Sequence, residues 1–128
     1  EINLNKERNM KKNSCNRECT KCSEPCLSPS YPKENQIEEI SKLFKVLGEK
    51  NRLHIVYALS SGSLCVHEIE KLLQVSQSLV SHQLKILRDA KIVKTSRRGN
   101  EIIYSLDDKH IELLLEIAKS HILEEKSK

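Results

Sequence analysis

Apolar residues first fall into a helical rhythm near Gln36. Ile37, Ile40, Leu43, Phe44 and Leu47 recur at intervals of three and four, which predicts an amphipathic helix that Gly48 can end. A second helix is predicted from about Asn51 to Leu59, with Leu53, Ile55, Val56 and Leu59 apolar and "SSGS" closing it. A third runs from about Cys65 to Leu73. After the short turn Gln74-Val75, Ser76 is a good N-cap for a fourth helix reaching about Asp89. The rhythm then changes. "KIVKTS" and "EIIYSL" are β-prone runs around "RRGN", where Gly99-Asn100 suits a tight hairpin loop. "DDKHIELLLEIAKSHILEE" reads as a strong final helix, capped by Asp107 or Asp108, with Ile111, Leu114, Leu115, Ala118 and Ile122 as its stripe.

Ahead of this pattern the chain is polar and broken by Pro25, Pro29 and Pro32, all the prolines it has. Residues 1–34 are therefore expected to form a flexible arm, and 35–128 the folded domain. Met10-Lys11-Lys12 makes a plausible true start, which would leave the nine preceding residues outside the native protein. Within the arm, "CNRECTKCSEPC" holds four of the five cysteines between residues 15 and 26.

A length of 128 residues suits one domain, long enough to bury a core without disulfides. Aromatics are only 3% and Trp is absent, so Leu and Ile must fill that core. No apolar run approaches the roughly 20 residues that span a bilayer, and the charged N-terminus lacks the apolar stretch of a signal peptide. The expected location is the cytoplasm, with no membrane partner. Clustered cysteines that stay reduced there are metal ligands or redox centres more often than disulfides, and five is an odd number for bridging. An enzyme is not expected: glycines number three, there is no phosphate loop, and no nucleophile–base pair has supporting context.

Helix, helix, short turn, helix, β-hairpin is the order of a winged helix-turn-helix, a mainly α fold with a small hairpin. At about 100° per residue, Val80, Leu84 and Leu87 share one side of the fourth helix. Ser78, Ser81, His82 and Lys85 share the other, where their hydroxyls, imidazole and ammonium can meet base edges and phosphates in a major groove. Gln77 opens the helix, where backbone N–H groups also favour a phosphate. Arg97 and Arg98 at the hairpin tip suit phosphate or minor-groove contact. The window Lys85–Arg98 holds six basic residues against one acid, while the whole chain carries +4, so a phosphate surface is concentrated here. The turn has one cost: Gln74 stands where such turns often use Gly, and a positive φ there costs about 1 kcal/mol.

The final helix carries Asp108-x-His110, ten residues, then His121-x-x-Glu124. Eleven residues bring the two histidines to nearly the same face but about 16 Å apart along the axis. With Zn–N bonds of about 2 Å they cannot share one ion within one straight helix. Two antiparallel copies resolve this, Asp108 and His110 of one facing His121 and Glu124 of the other, with twofold symmetry giving two such sites. Two imidazoles and two carboxylates suit tetrahedral Zn²⁺ or Co²⁺.

With these residues in view, the stretch Gln36–Glu124 resembles the ArsR/SmtB family of bacterial metal-sensing repressors. The resemblance rests on "LGEKNRLHIVYAL", "LCVHEIEKLL", "VSQSLVSHQLKILRDAKIV", "RRGNEIIYSL" and the D-x-H…H-x-x-E pattern of the last helix. It implies a homodimer, joined here through the first and last helices, that holds operator DNA and loses affinity for it on binding metal. Within the family the likeness is to the cadmium- and lead-sensing CadC-like branch. By that resemblance the arm of one protomer closes over the third helix of the other, and Cys15, Cys19, Cys65 and His67 become ligands for Cd(II), Zn(II) or Pb(II). His67 stands where that branch has a second cysteine, so the site would hold three thiolates and an imidazole, still a soft donor set. Cys22 and Cys26 have no counterpart in the family and are possible additional ligands. Read from the residues alone, Cys65 also fits a small buried hydrophobe and His67 a solvated surface group. Two other functions compete with the metal-responsive repressor: a thiol redox-sensing repressor, responding to oxidant without metal, and a metal-buffering protein with no operator affinity.

Overall fold

The computed structural model describes residue 28 and residues 30–126, with side chains as far as 124. Along it run α1 (Glu34–Leu47), α2 (Lys50–Ser60), β1 (Leu64–Cys65), α3 (Val66–Leu73), α4 (Gln77–Asp89), β2 (Val93–Arg98), β3 (Glu101–Leu106) and α5 (Lys109–Lys126). The chain divides within α1, Ser41 closing one compact unit and Lys42 opening the next.

Local chemistry sets most of these boundaries. Gly48 ends α1, its N–H donating to the Phe44 carbonyl at 2.9 Å. Glu49 then caps α2, accepting from the N–H groups of Asn51 (3.1 Å) and Arg52 (3.0 Å). These two bonds hold the Glu49 carboxyl below its usual range. Ser76 caps α4 by accepting from Leu79 N–H at 3.2 Å, as its position predicts. Of the two aspartates ahead of α5, Asp108 is the cap: its Oδ1 accepts from His110 N–H (2.9 Å) and Ile111 N–H (3.2 Å). Gln74 takes the expected left-handed conformation, φ 56° and ψ 44°, with its N–H donating to Glu70.

The hairpin is present, Val93 pairing with Leu106 at its base and Arg98 with Glu101 at its tip. Gly99, at the first position of the two-residue loop, takes φ +61°, the conformation a type II′ turn asks of glycine. The sequence reading missed a third strand. Leu64 and Cys65, read as the approach and start of the third helix, pair instead with Tyr104 and Ile103, so the sheet order is β1-β3-β2. Cys65 becomes the N-cap of α3, its N–H taken up by the Glu68 carboxylate at 3.0 Å.

The core is aliphatic, as the shortage of aromatics requires. Ile55, Val56, Ile69, Val80, Leu84, Leu87 and Ile92 are each less than 2% exposed, and each buried side chain of this kind stabilises the fold by roughly 1.5–3 kcal/mol. The apolar stripes of the first and last helices do not both end in this core. Ile111 and Leu115 of α5 are buried, whereas Ile122, together with Leu113, Ile117 and Leu123, faces outward. On α1, Leu47 is buried, while Ile37, Ile40 and Phe44 are exposed.

Candidate functional site

α4 is built as an outward-facing reader. Val80, Leu84 and Leu87 are all 0% exposed and anchor the helix to α3, α2 and the sheet. The opposite side presents Gln77, Ser78, Ser81, His82 and Lys85, all exposed. Arg97 and Arg98 are exposed at the end of β2. All seven of these polar residues are thus on the surface. Groups of this kind can contact nucleic acid, with helix N–H groups and hydroxyls suited to phosphates, amide and imidazole to base edges, and arginines to phosphate or minor groove.

The proposed metal donors lie in two places. In α5, Asp108 uses one carboxylate oxygen as the helix cap, and its other oxygen, Oδ2, stands 3.5 Å from His110 Nδ1. That distance is the one of an exposed carboxylate–imidazole ion pair, with the two groups side by side at the start of α5. The Ile111 N–H foremost, and then His110, hold the Asp108 carboxyl below its usual range. His121 and Glu124 lie exposed toward the other end of the same helix.

The second place is the start of α3. Cys65 is a buried free thiol, 7% exposed. Its N–H and thiol bond to Glu68 and hold that carboxyl below its usual range, the N–H contributing most. His67 is exposed, with Nδ1 3.3 Å from Glu70 Oε2. Cys15, Cys19, Cys22 and Cys26 lie outside the described residues. Among the described residues of one chain, no three His, Cys, Asp or Glu groups converge as a metal site.

Two residues that the sequence reading passed over join the reading helix to its support. Gln83 is buried on α4, and its Oε1 accepts from Arg52 Nη1 at 2.9 Å. Arg52 Nε donates to the Val46 carbonyl at 2.7 Å. The available signal was a polar residue at a buried register, three places after Val80 and next to Leu84.

Known proteins resemble this chain along most of its length. Residues 49–95 match the profile of bacterial regulatory proteins of the arsR family. A transcriptional repressor SmtB homolog from Synechocystis is 33% identical over 123 residues, covering 89% of this chain and 93% of that protein. A cadmium resistance transcriptional regulatory protein CadC homolog from Staphylococcus aureus is 37% identical over 90 residues, covering 70% of this chain and 74% of that one. Among solved structures, the transcriptional repressor BigR from Xylella fastidiosa superposes with a TM-score of 0.63 at 31% identity, over 68% of this chain and 89% of BigR. Together with the exposed reading helix and wing, these likenesses establish that the chain belongs to the arsR family of bacterial regulatory proteins, a winged helix-turn-helix regulator rather than an enzyme.

Proposed function

We propose that the protein is a metal-responsive transcriptional repressor of the cytoplasm. It binds operator DNA as a homodimer through α4 and the wing tip, and it releases that DNA on binding Cd(II), Zn(II) or Pb(II), so controlling metal efflux or resistance genes. One observation carries the reading. The Asp108–His110 pair and the His121–Glu124 pair stand at opposite ends of one helix, too far apart to share an ion, and in this reading each is half of a tetrahedral site. A second copy of the chain supplies what is missing. The exposed apolar residues of α5 between the two half-sites, Leu113 and Ile117, support pairing through this helix, and exposed Ile37, Ile40 and Phe44 support a share for α1.

Cys65 and His67, with Cys15 and Cys19 of the partner copy, form the second, softer donor set of the proposal, with Cys22 and Cys26 as further thiolates. Cys65 lies at the junction of β1 and α3, and α3 packs on α4. A metal held there acts on the element that supports the reading helix. By linkage, metal that favours the conformation poor in DNA affinity must itself bind the DNA complex more weakly. The relatives named for cadmium and SmtB-type repression are consistent with this effector class.

The test is fluorescence anisotropy of the reduced full chain on DNA from upstream of its own gene, metal-free and then with Cd²⁺, Pb²⁺ or Zn²⁺ added singly. We expect tight metal-free binding that metal abolishes. Cys15→Ser with Cys19→Ser should weaken soft-metal binding and leave metal-free operator affinity intact. Metal binding with no effect on DNA would establish buffering instead, and release by oxidant alone a redox switch.

A further inference from the structure

α4 buries three aliphatic side chains and one polar one. Gln83, 8% exposed, is the single buried polar or charged residue among the described residues. Arginine has donors and no acceptor, so the carboxamide oxygen of Gln83 must face Arg52 and its orientation is fixed. The same guanidinium reaches back to the Val46 carbonyl in the last turn of α1, where carbonyls lack a helical partner. Arg52 stands in the first turn of α2, its own N–H held by the Glu49 cap. One planar group thus ties the end of α1 and the start of α2 to the middle of the reading helix.

The aliphatic contacts of α4 are non-directional: close packing holds the helix against rotation about its own axis but aims no single group. The Arg52–Gln83 bond is directional and restrains that rotation strongly. Side-chain ends lie about 6 Å from the helix axis, so a rotation of about 15° displaces them by about 1.5 Å, enough to break a base-edge hydrogen bond. Phosphate contacts through long, flexible side chains tolerate such a shift. We propose that Arg52 and Gln83 are positioning residues for operator recognition: together they set the rotation of α4 and hence its sequence specificity, without touching DNA. This inference rests on the DNA-binding reading above and adds to it which buried residues set specificity.

The experiment compares the full-length wild type with Q83L, Q83E and R52K, measured on the upstream operator duplex and on a random-sequence duplex across a salt series, with thermal unfolding alongside. In Q83L, near in volume and apolar, we expect operator affinity to fall by about tenfold or more. Affinity for random duplex and the salt slope should stay at wild-type values. Q83E keeps an acceptor oxygen opposite Arg52 and should restore most of the preference. R52K leaves the core untouched and should shift the ratio the same way, which keeps the test available if Q83L unfolds. An unchanged operator-to-random ratio, an equal loss on both duplexes, or a Q83E no better than Q83L would each overturn the proposal. A wild type with no operator preference would overturn the repressor reading and this one with it. A preference retained in Q83L overturns this one alone.

Discussion

α4 presents Gln77, Ser78, Ser81, His82 and Lys85 from a helix whose opposite face is wholly enclosed. α5 presents Asp108 and His110 at one end and His121 and Glu124 at the other, with exposed Leu113 and Ile117 between them. The first surface, the proposed DNA contact, has its buried backing, its Ser76 cap and the neighbouring hairpin within one copy of the chain. The second, in the proposed reading, is a pair of half-sites that only another copy of the chain completes. The difference teaches where regulation can enter. A surface complete in one copy is always ready to read, while a site completed only between copies can report on how the copies are arranged.

The sharpest way to break this comparison is to remove the backing of the reader. Leu84→Ala leaves a cavity beneath α4 and should cost about 2–5 kcal/mol, visible in denaturant unfolding together with loss of operator binding. His110→Ala should leave the reader intact and disable a half-site. Loss of a residue behind a metal ligand typically costs 10–100-fold in affinity, so loss of a ligand itself should cost at least about tenfold, read from cobalt absorption. An unchanged cobalt spectrum would remove the support for α5 as a metal site.

Arg98→Ala tests the wing as a phosphate contact. Binding should weaken to a similar degree on all DNA sequences, and the dependence of log K on log salt should become shallower by about 1. Gln74→Gly relieves the left-handed turn and should raise stability by up to about 1 kcal/mol, seen as a higher unfolding midpoint at unchanged operator affinity. The smallest effect is acid sensitivity. Glu49, Glu68 and Asp108 are all held below the ordinary carboxylate range by backbone N–H groups, Arg52 and Asn51 for Glu49, Cys65 for Glu68 and Ile111 for Asp108. Their contribution is complete above the unfolded-state values and is lost as pH falls through the lower folded ones. The unfolding midpoint should therefore decline as pH falls through and below the ordinary carboxylate range, and less steeply in Glu49→Gln.

The elements that local chemistry decides were legible in the sequence: the five helices, the Ser76 cap, the Gly99 turn, the left-handed Gln74 and the two faces of α4. What escaped depends on distant partners. β1 is two residues long and exists only because Tyr104 and Ile103 lie beside it. Glu49 is not a favoured cap residue, and Gln83 gains its meaning from Arg52 on another helix. The apolar stripes of α1 and α5 read as one continuous signal, although the fold divides each between core and surface. The metal reading of Asp108, His110, His121 and Glu124 came from their spacing, and among the described residues of one chain only the Asp108–His110 ion pair brings two of them together.

The pairing of Leu64 with Tyr104 and of Cys65 with Ile103 has a kinetic consequence. β3 is synthesised long after β1, so Cys65 has no ladder partner until the wing has folded. Any later opening that detaches the two-residue strand removes the same partner. In a chain whose other four cysteines are serine, the rate at which a thiol reagent modifies Cys65 therefore reports the local openings that expose it, detachment of β1 from β3 among them. Under conditions where reclosing is faster than modification, that rate reports the opening equilibrium directly. A single buried sulfur thus provides a built-in probe of opening where β1 meets α3.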